Sequence, residues 1–265
     1  MSGLAVARLD VLTACAAAPG ITLEEVDRVA SLQTRVDRKY VLSAGAASAI
    51  VPILATRSAV TTVPTATGDL RACWYRSTYF DTPDLESYRR TATQRRQRFK
   101  VRTRTYVDTS TSFVEVKVRG ARGVTEKVRS SLPPSMSTLL LDHAAQHFVD
   151  DVLDRADLGA SLAPVVTTEY QRTTLVDLDS TTRATIDTSL AFTAPTDRDD
   201  RHEAHGLVVI ETKSAGGVSW YDRVLWDAGV RPSPVSKFGV GMAVTRPELP
   251  SNRWHRILWT HFSTC

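Results

Sequence analysis

The sequence is short of cysteine, of lysine and of long apolar runs, and each shortage excludes something. Cys15, Cys73 and Cys265 are scattered and odd in number, so they make neither a disulfide framework nor a zinc-spaced set. A reducing, cytoplasmic compartment is the expectation. The most apolar stretches, Ile50 to Ala55 and Leu207 to Ile210, fall far short of the roughly 20 residues that span a bilayer. Arg8 and Asp10 interrupt the mildly apolar beginning of the chain, so no secretory signal and no membrane span are expected. A net charge of only +4 argues against a general nucleic-acid coat, although clustered cations can still build a strong local anion site. Six of the 33 basic residues are lysines: Lys39, Lys100, Lys117, Lys127, Lys213 and Lys237. Where arginine is the default cation, a lysine marks a place that wants a compact ammonium.

What is present is a chain of 265 residues, long enough to bury a sizeable core. Its periodicity predicts short helices over 4–18 and 22–31, the second with Thr22 and Glu25 in capping-box spacing. A strand follows around Asp37 to Leu42, and then an Ala-rich helix capped by Ser43. Residues 58–70 read as a polar loop or weak strand. Alternating runs at 74–80, 98–107, 112–119 and 124–130 predict an antiparallel meander, ended by Pro133 and Pro134. Helical spacing returns over 135–158, with Leu139, Leu140, Ala144, Phe148, Val152 and Leu153 on a shared side. Strands are expected near 165–177, 182–192 and 206–213, and helices near 219–228 and 234–244. Trp254 and Trp259 should pack back onto the body.

Side chains two apart on a strand share a face, and the charges use that spacing repeatedly. Asp37 pairs in this way with Lys39, Arg102 with Arg104, Glu115 with Lys117, Tyr170 with Arg172, Arg183 with Asp187 through Thr185, and Glu211 with Lys213. The opposite faces carry Val114, Val116 and Val118, or Val208 and Ile210, and are expected to meet the helices. One such strand is ordinary in a sheet with a wet face. Six of them, dominated by Arg and Lys, would gather mutually repelling cations that need an anion and a metal. A linear, highly charged anion is the partner this predicts.

The segments Arg35 to Tyr40, Tyr79 to Thr82, Arg102 to Arg104, Phe113 to Lys117, Tyr170 to Arg172, Arg183 to Asp187, Ile210 to Lys213 and Ser236 to Phe238 resemble, in order, the catalytic domain of the vacuolar transporter chaperone (VTC) type. That domain is the polyphosphate polymerase branch of the triphosphate tunnel metalloenzymes. The resemblance covers roughly residues 33–245. It implies an α+β fold in which an antiparallel eight-stranded β-barrel forms a tunnel with helices outside. The residues on either side read, from their own spacing, as a helical accessory segment at 1–32 and a tail at 246–265 that packs on the domain.

It also implies site residues. Lys39, Arg102, Arg104, Lys117, Arg172, Arg183, Lys213 and Lys237 would act on the phosphates. Lys127, Tyr170 and Ser236 would assist in binding them, and Glu211, with Glu115, would hold a divalent metal, Mn or Mg. Phosphoryl transfer suits such a set, because it is catalysed by positioning and charge neutralisation without a protein nucleophile. The relatives open with alternating glutamates where Arg35 and Asp37 stand here, so fewer metal ligands are expected. The expected activity is transfer of the terminal phosphate of a nucleoside triphosphate to a growing polyphosphate chain, with the membrane partner protein of such systems left open. A triphosphatase and a non-catalytic polyphosphate or inositol-phosphate binding module are the alternatives. His143 and His147, the charged stretch 197–205 with His202 and His205, and Gly216-Gly217 read more simply as surface or turn residues. The run Arg89, Arg90, Arg95, Arg96 and Arg98 reads as a solvated basic loop, with a tunnel-mouth track that guides a polyanion as the alternative.

Overall fold

The computed structural model describes residues 11–30, 36–66, 68–120, 125–134, 136–195 and 197–262; Arg35 lies outside them. In chain order, helix α1 is described over 11–16, then β1 (Gly20–Thr22), α2 (Leu23–Ala30), β2 (Val36–Ser43), α3 (Ala44–Ala55), β3 (Ser58–Thr65) and β4 (Gly68–Leu70). A meander follows: β5 (Cys73–Asp81), α4 (Glu86–Ala92), β6 (Arg98–Tyr106), β7 (Thr111–Arg119) and β8 (Thr125–Leu132). Next come α5 (His143–Leu153), α6 (Leu158–Ser161), β9 (Ala163–Asp177), β10 (Arg183–Ala194), β11 (Asp197–Glu203), β12 (Leu207–Ser214), α7 (Trp220–Asp227), α8 (Lys237–Thr245) and α9 (His255–Phe262). The result is an α+β fold built on a predominantly antiparallel sheet, with the β1–β3 pair parallel.

The chain divides into two compact units. The first gathers the residues up to Trp74 with Tyr170–Leu190 and Ala204–Val235. Its strands run in the order β2, β12, β10, β9, with β3 paired to the end of β9. On one side of them α3 brings Ile50, Val51 and Leu54 against Leu42, Ile186 and Ile210. The Ser43 hydroxyl starts that helix by accepting the Ala46 N–H, as its spacing predicts. A carboxylate that sequence reasoning did not single out fastens α7 to this sheet. Asp222, fully buried, accepts hydrogen bonds from Tyr40 Oη at 2.7 Å, Thr212 Oγ1 at 2.6 Å and the Ser219 amide at 2.8 Å. Arg38 adds an ion pair at 3.1 Å. Burial raises the Asp222 pKa, but these donors outweigh it and hold the group below its ordinary value.

The second unit comprises Tyr75–Glu169, Ala191–Glu203 and the chain from Ser236 onward. Here the order is β9, β5, β6, β7, β8, with β11 on the end of β10. Val101, Val114 and Val116 alternate with the charges of their strands and pack beneath α5 through Ala145 and Val149. Asp142 caps α5 by accepting the Ala145 N–H. Asp81 is the corresponding device for α4: its buried carboxylate accepts the amides of Ser87 and Tyr88.

Residues 58–65 take the strand alternative, and their first residues are buried, because Ala59 and Val60 fit a covered edge. The structure differs from the sequence expectations at four places. The charged stretch over 197–203 is a strand, its backbone paired with β10. Arg89 and Arg90 sit on α4, not in a basic loop. Leu139 and Leu140 lie in turns ahead of α5, and Leu140 is exposed. Trp254 is buried at 1 %, whereas Trp259 is 72 % exposed, since on α9 it is Ile257 and His261 that face inward.

Candidate functional site

Each unit carries a charged sheet face. In the first, β12 lies between β2 and β10, and the register places Glu211 opposite Lys39 and Thr185, with Lys213 opposite Asp37 and Arg183. Lys213 reaches Glu211 at 3.4 Å, and the two side chains are 13 % and 16 % exposed. Burial disfavours the ammonium, so the Lys213 pKa falls to about 8; Arg172 adds to the fall, against the pull of Glu211, Asp37 and Asp187. Arg172 grips fully buried Asp187 with both ends of its fork, Nε to Oδ1 at 2.6 Å and Nη2 to Oδ2 at 2.8 Å. Its guanidinium lies 5.2 Å from the centre of the Tyr170 ring, a cation–π arrangement. Tyr170 is itself buried. The fold thus brings together Lys39, Tyr170, Arg172, Arg183, Glu211 and Lys213, all predicted from sequence, and interleaves the cations with Asp37, Asp187 and Glu211.

The face of the second unit is built in cross-strand rows. Arg98 faces Arg119; Lys100, Lys117 and Lys127 form the next row; Arg102, Glu115 and Arg129 the third; Arg104 and Phe113 the fourth. Glu115, named in sequence as a metal ligand, is 2 % exposed and already surrounded by cations. It accepts from Arg102 Nε at 2.7 Å and Lys127 Nζ at 3.2 Å, and Arg104 Nε stands at 3.9 Å. Burial alone would raise its pKa, but Arg102, Arg104 and Lys127 together hold it well below the usual carboxylate range. Arg102 also donates to Tyr79 Oη at 2.9 Å, and Tyr79 stacks on Phe238 with centroids 5.0 Å apart.

Phe238 belongs to α8, which Ser236 caps by accepting the Gly239 N–H at 3.2 Å. Lys100 Nζ donates to the same hydroxyl at 2.9 Å and lies 5.4 Å from the Phe238 ring centre. Lys237 opens the helix and is half-buried. Lys100 and Arg129 were missed as site candidates. Their signal was in the sequence: Lys100 stands two residues before Arg102, and Arg129 two after Lys127, so the spacing that found their neighbours points to them as well.

The histidines and the glycine pair read as bland behave so. His143 and His147 stack loosely, 6.5 Å between centroids, and among the described residues no three His, Cys, Asp or Glu side chains converge as a metal site. His202 pairs with Asp200 at 2.9 Å. Gly217 adopts a φ of +67°, a turn that favours glycine.

A family model of the VTC domain matches residues 34–246. The chain belongs to the VTC domain family. Among solved structures, a candidate adenylate cyclase of Bacillus halodurans superposes with a TM-score of 0.50 at 13 % identity, covering 77 % of this chain and 94 % of that one. A candidate adenylyl cyclase of Hippeastrum whose dominant activity is that of a triphosphatase gives a TM-score of 0.50 at 16 % identity, over 79 % of this chain and 96 % of that one. At such identities the likeness is one of fold. No curated protein matches. No helix among the described residues of this VTC domain is long and apolar enough to cross a membrane.

Proposed function

We propose that this VTC domain is a metal-dependent phosphotransferase that moves the terminal phosphate of a nucleoside triphosphate onto a growing polyphosphate chain. The observation that carries the reading is the excess of cations on the face of the second unit, where Lys100, Arg102 and Arg104 on β6, Lys117 on β7, and Lys127 and Arg129 on β8 have Glu115 as their one carboxylate in the paired rows. Such a face is relieved only by an anion of several charges. The reading carries with it the antiparallel tunnel barrel expected from the sequence.

In this reading Arg102 and Arg172, both guanidinium forks backed by an aromatic ring, orient phosphate oxygens, and Lys39, Arg183 and Lys213 neutralise the charge that moves during transfer. Lys127, Lys117 and Arg104 hold the rest of the chain, with Tyr170 and Ser236 fixing their neighbours. Lys237, at the start of α8, adds its charge to the positive end of the helix dipole, where phosphate is favoured. The donor chemistry fits a hard divalent cation. Glu211 offers carboxylate oxygens on a face with Asp37 and Asp187, and Mg or Mn takes one or two carboxylates and fills its remaining positions with phosphate oxygens and water. When bound, such an ion would neutralise phosphate oxygens. Glu115 then serves as the fixed counter-charge of Arg102, Arg104 and Lys127.

A second reading, a triphosphatase in which water replaces the phosphate acceptor, draws on the Hippeastrum protein, whose dominant activity is that of a triphosphatase. Incubation with ATP and Mn²⁺, with products resolved on a gel, separates the two. A ladder of polyphosphate supports transfer, inorganic phosphate alone supports hydrolysis, and no turnover across a metal titration would sink both. Glu211→Gln should fold normally and lose turnover; undiminished turnover would remove Glu211 from the metal.

A further inference from the structure

The outermost row of the second unit's charged face has no place among the predicted site residues, and a residue from beyond the matched family region joins it. Arg98 and Arg119 stand opposite each other on β6 and β7. Arg253 follows the VTC match, which ends at residue 246, and sits in a 3-10 turn over Asn252–Trp254. That turn is anchored by Trp254, buried at 1 % and stacked near Tyr88 with centroids 6.0 Å apart. Gly239 makes room for it, since a Cβ there would meet the Trp254 ring at 2.1 Å. Arg253 is therefore held in place. Its Nη1 donates to the Thr91 carbonyl at 3.1 Å, while its Nε is buried with no hydrogen-bond partner among the described residues. Arg98 Nη1 donates to the Arg95 carbonyl at 2.7 Å.

Carbonyl oxygens do not neutralise a guanidinium. Among the described residues none of the three arginines has a carboxylate within ion-pair distance, and burial followed by mutual repulsion lowers the pKa of Arg98 and Arg253. Arg98 and Arg119 face each other, Arg119 exposed to solvent, and Arg253 adds a buried donor with no partner among the described residues; such a group of like charges favours an oxyanion. It continues the rows already described. Arg98 is six residues from Arg104 along β6, about 20 Å of extended strand, more than a triphosphate spans.

We infer that Arg98, Arg119 and Arg253 form an outer phosphate subsite that engages the distal phosphates of polyphosphate chains longer than a triphosphate. The inference rests on the proposed function and gives the cationic face a role in selecting chain length.

The test compares binding of tripolyphosphate and of long-chain polyphosphate to the full chain by calorimetry, without divalent metal. Arg98→Gln combined with Arg119→Gln should weaken the long chain about tenfold or more, as expected for lost charge-assisted bonds, and leave tripolyphosphate within about twofold. Arg253→Gln should act in the same direction, and Arg253→Lys, which keeps the charge, should recover part of the loss. Equal losses on both ligands, or none on the long chain, would overturn the subsite. A stability loss in Arg253→Gln with unchanged binding would reduce that residue to a cap on the Thr91 carbonyl and overturn its part in the site. Lys213→Met distinguishes the two levels: it should weaken both ligands if the proposed function holds. A wild-type chain that binds neither polyanion would sink that function and the subsite together.

Discussion

The two charged faces are made from the same residue types by the same two-residue spacing, yet they are electrostatically different. In the first unit four cations, Lys39, Arg172, Arg183 and Lys213, alternate with three carboxylates, Asp37, Asp187 and Glu211. In the second, eight cations share Glu115. Near-balance lets charges be buried deeply, because carboxylates lie among the cations; what remains is a desolvation penalty, visible at Lys213. Excess forces the cations to spread towards solvent, and Lys127 remains 40 % exposed beside a carboxylate that is nearly hidden. In the function proposed, the balanced face is assigned the metal and the reacting phosphate, and the unbalanced one the long anion.

The sharpest way to break the comparison is Glu115→Gln. Removing the counter-charge leaves Arg102, Arg104 and Lys127 repelling one another, a loss of about 3 kcal/mol at neutral pH, the low end for a broken buried pair because two of the cations are partly exposed. Urea unfolding measures it, and added tripolyphosphate should restore part of the loss by supplying new negative charge. The pH dependence follows from the depressed Glu115 pKa. Its contribution is complete above the unfolded value of about 4.3 and disappears as pH falls through the lower folded value, so the wild-type and variant stability curves should converge in acid. A loss below about 1 kcal/mol would mean that solvent already screens this face.

Lys213→Met tests the balanced side with an effect of about 1.5–3 kcal/mol on tripolyphosphate binding. Between pH 8 and about 10.4 the unfolded lysine keeps a proton that the folded one has released, so stability due to Lys213 rises with pH across that window. The burial penalty applies in full below pH 8, and Lys213→Met should therefore be at least as stable as wild type at pH 7 while responding less to ligand. Binding should draw a proton onto Lys213 near pH 8, seen as a buffer-dependent binding enthalpy that the variant lacks. Equal enthalpies in phosphate-free buffers of different ionisation heat would show that the lysine stays charged.

The smallest effect is expected outside both faces. Arg89→Ala should change tripolyphosphate affinity by less than about 1 kcal/mol, since Arg89 is exposed on α4 and its Nε is spent on the Asp84 carbonyl. A loss equal to that of Lys213→Met would move the anion onto α4.

Strand spacing made most of the site legible, because a period of two assigns faces without knowledge of partners. Lys39, Arg172, Glu211 and Lys213 share a face as predicted, and Lys100 was lost only because no motif flagged it. β11 escaped because its pairing with β10 is made by backbone, to which the run Asp199, Asp200, Arg201 gives no clue. Arg253 escaped because its neighbours Arg98 and Arg119 lie more than 130 positions earlier in the chain.

By itself the sequence determined the family, the alternation of charged and apolar strand faces, the helix cap at Ser43 and the capping box of Thr22 with Glu25, since these depend on interactions within a few residues. Only the tertiary structure decided the balance of charge. Whether a lysine such as Lys213 sits among carboxylates, or a glutamate such as Glu115 among cations, depends on which strands become neighbours and in what register, and Coulomb energy in a desolvated setting depends on distance in space, not along the chain.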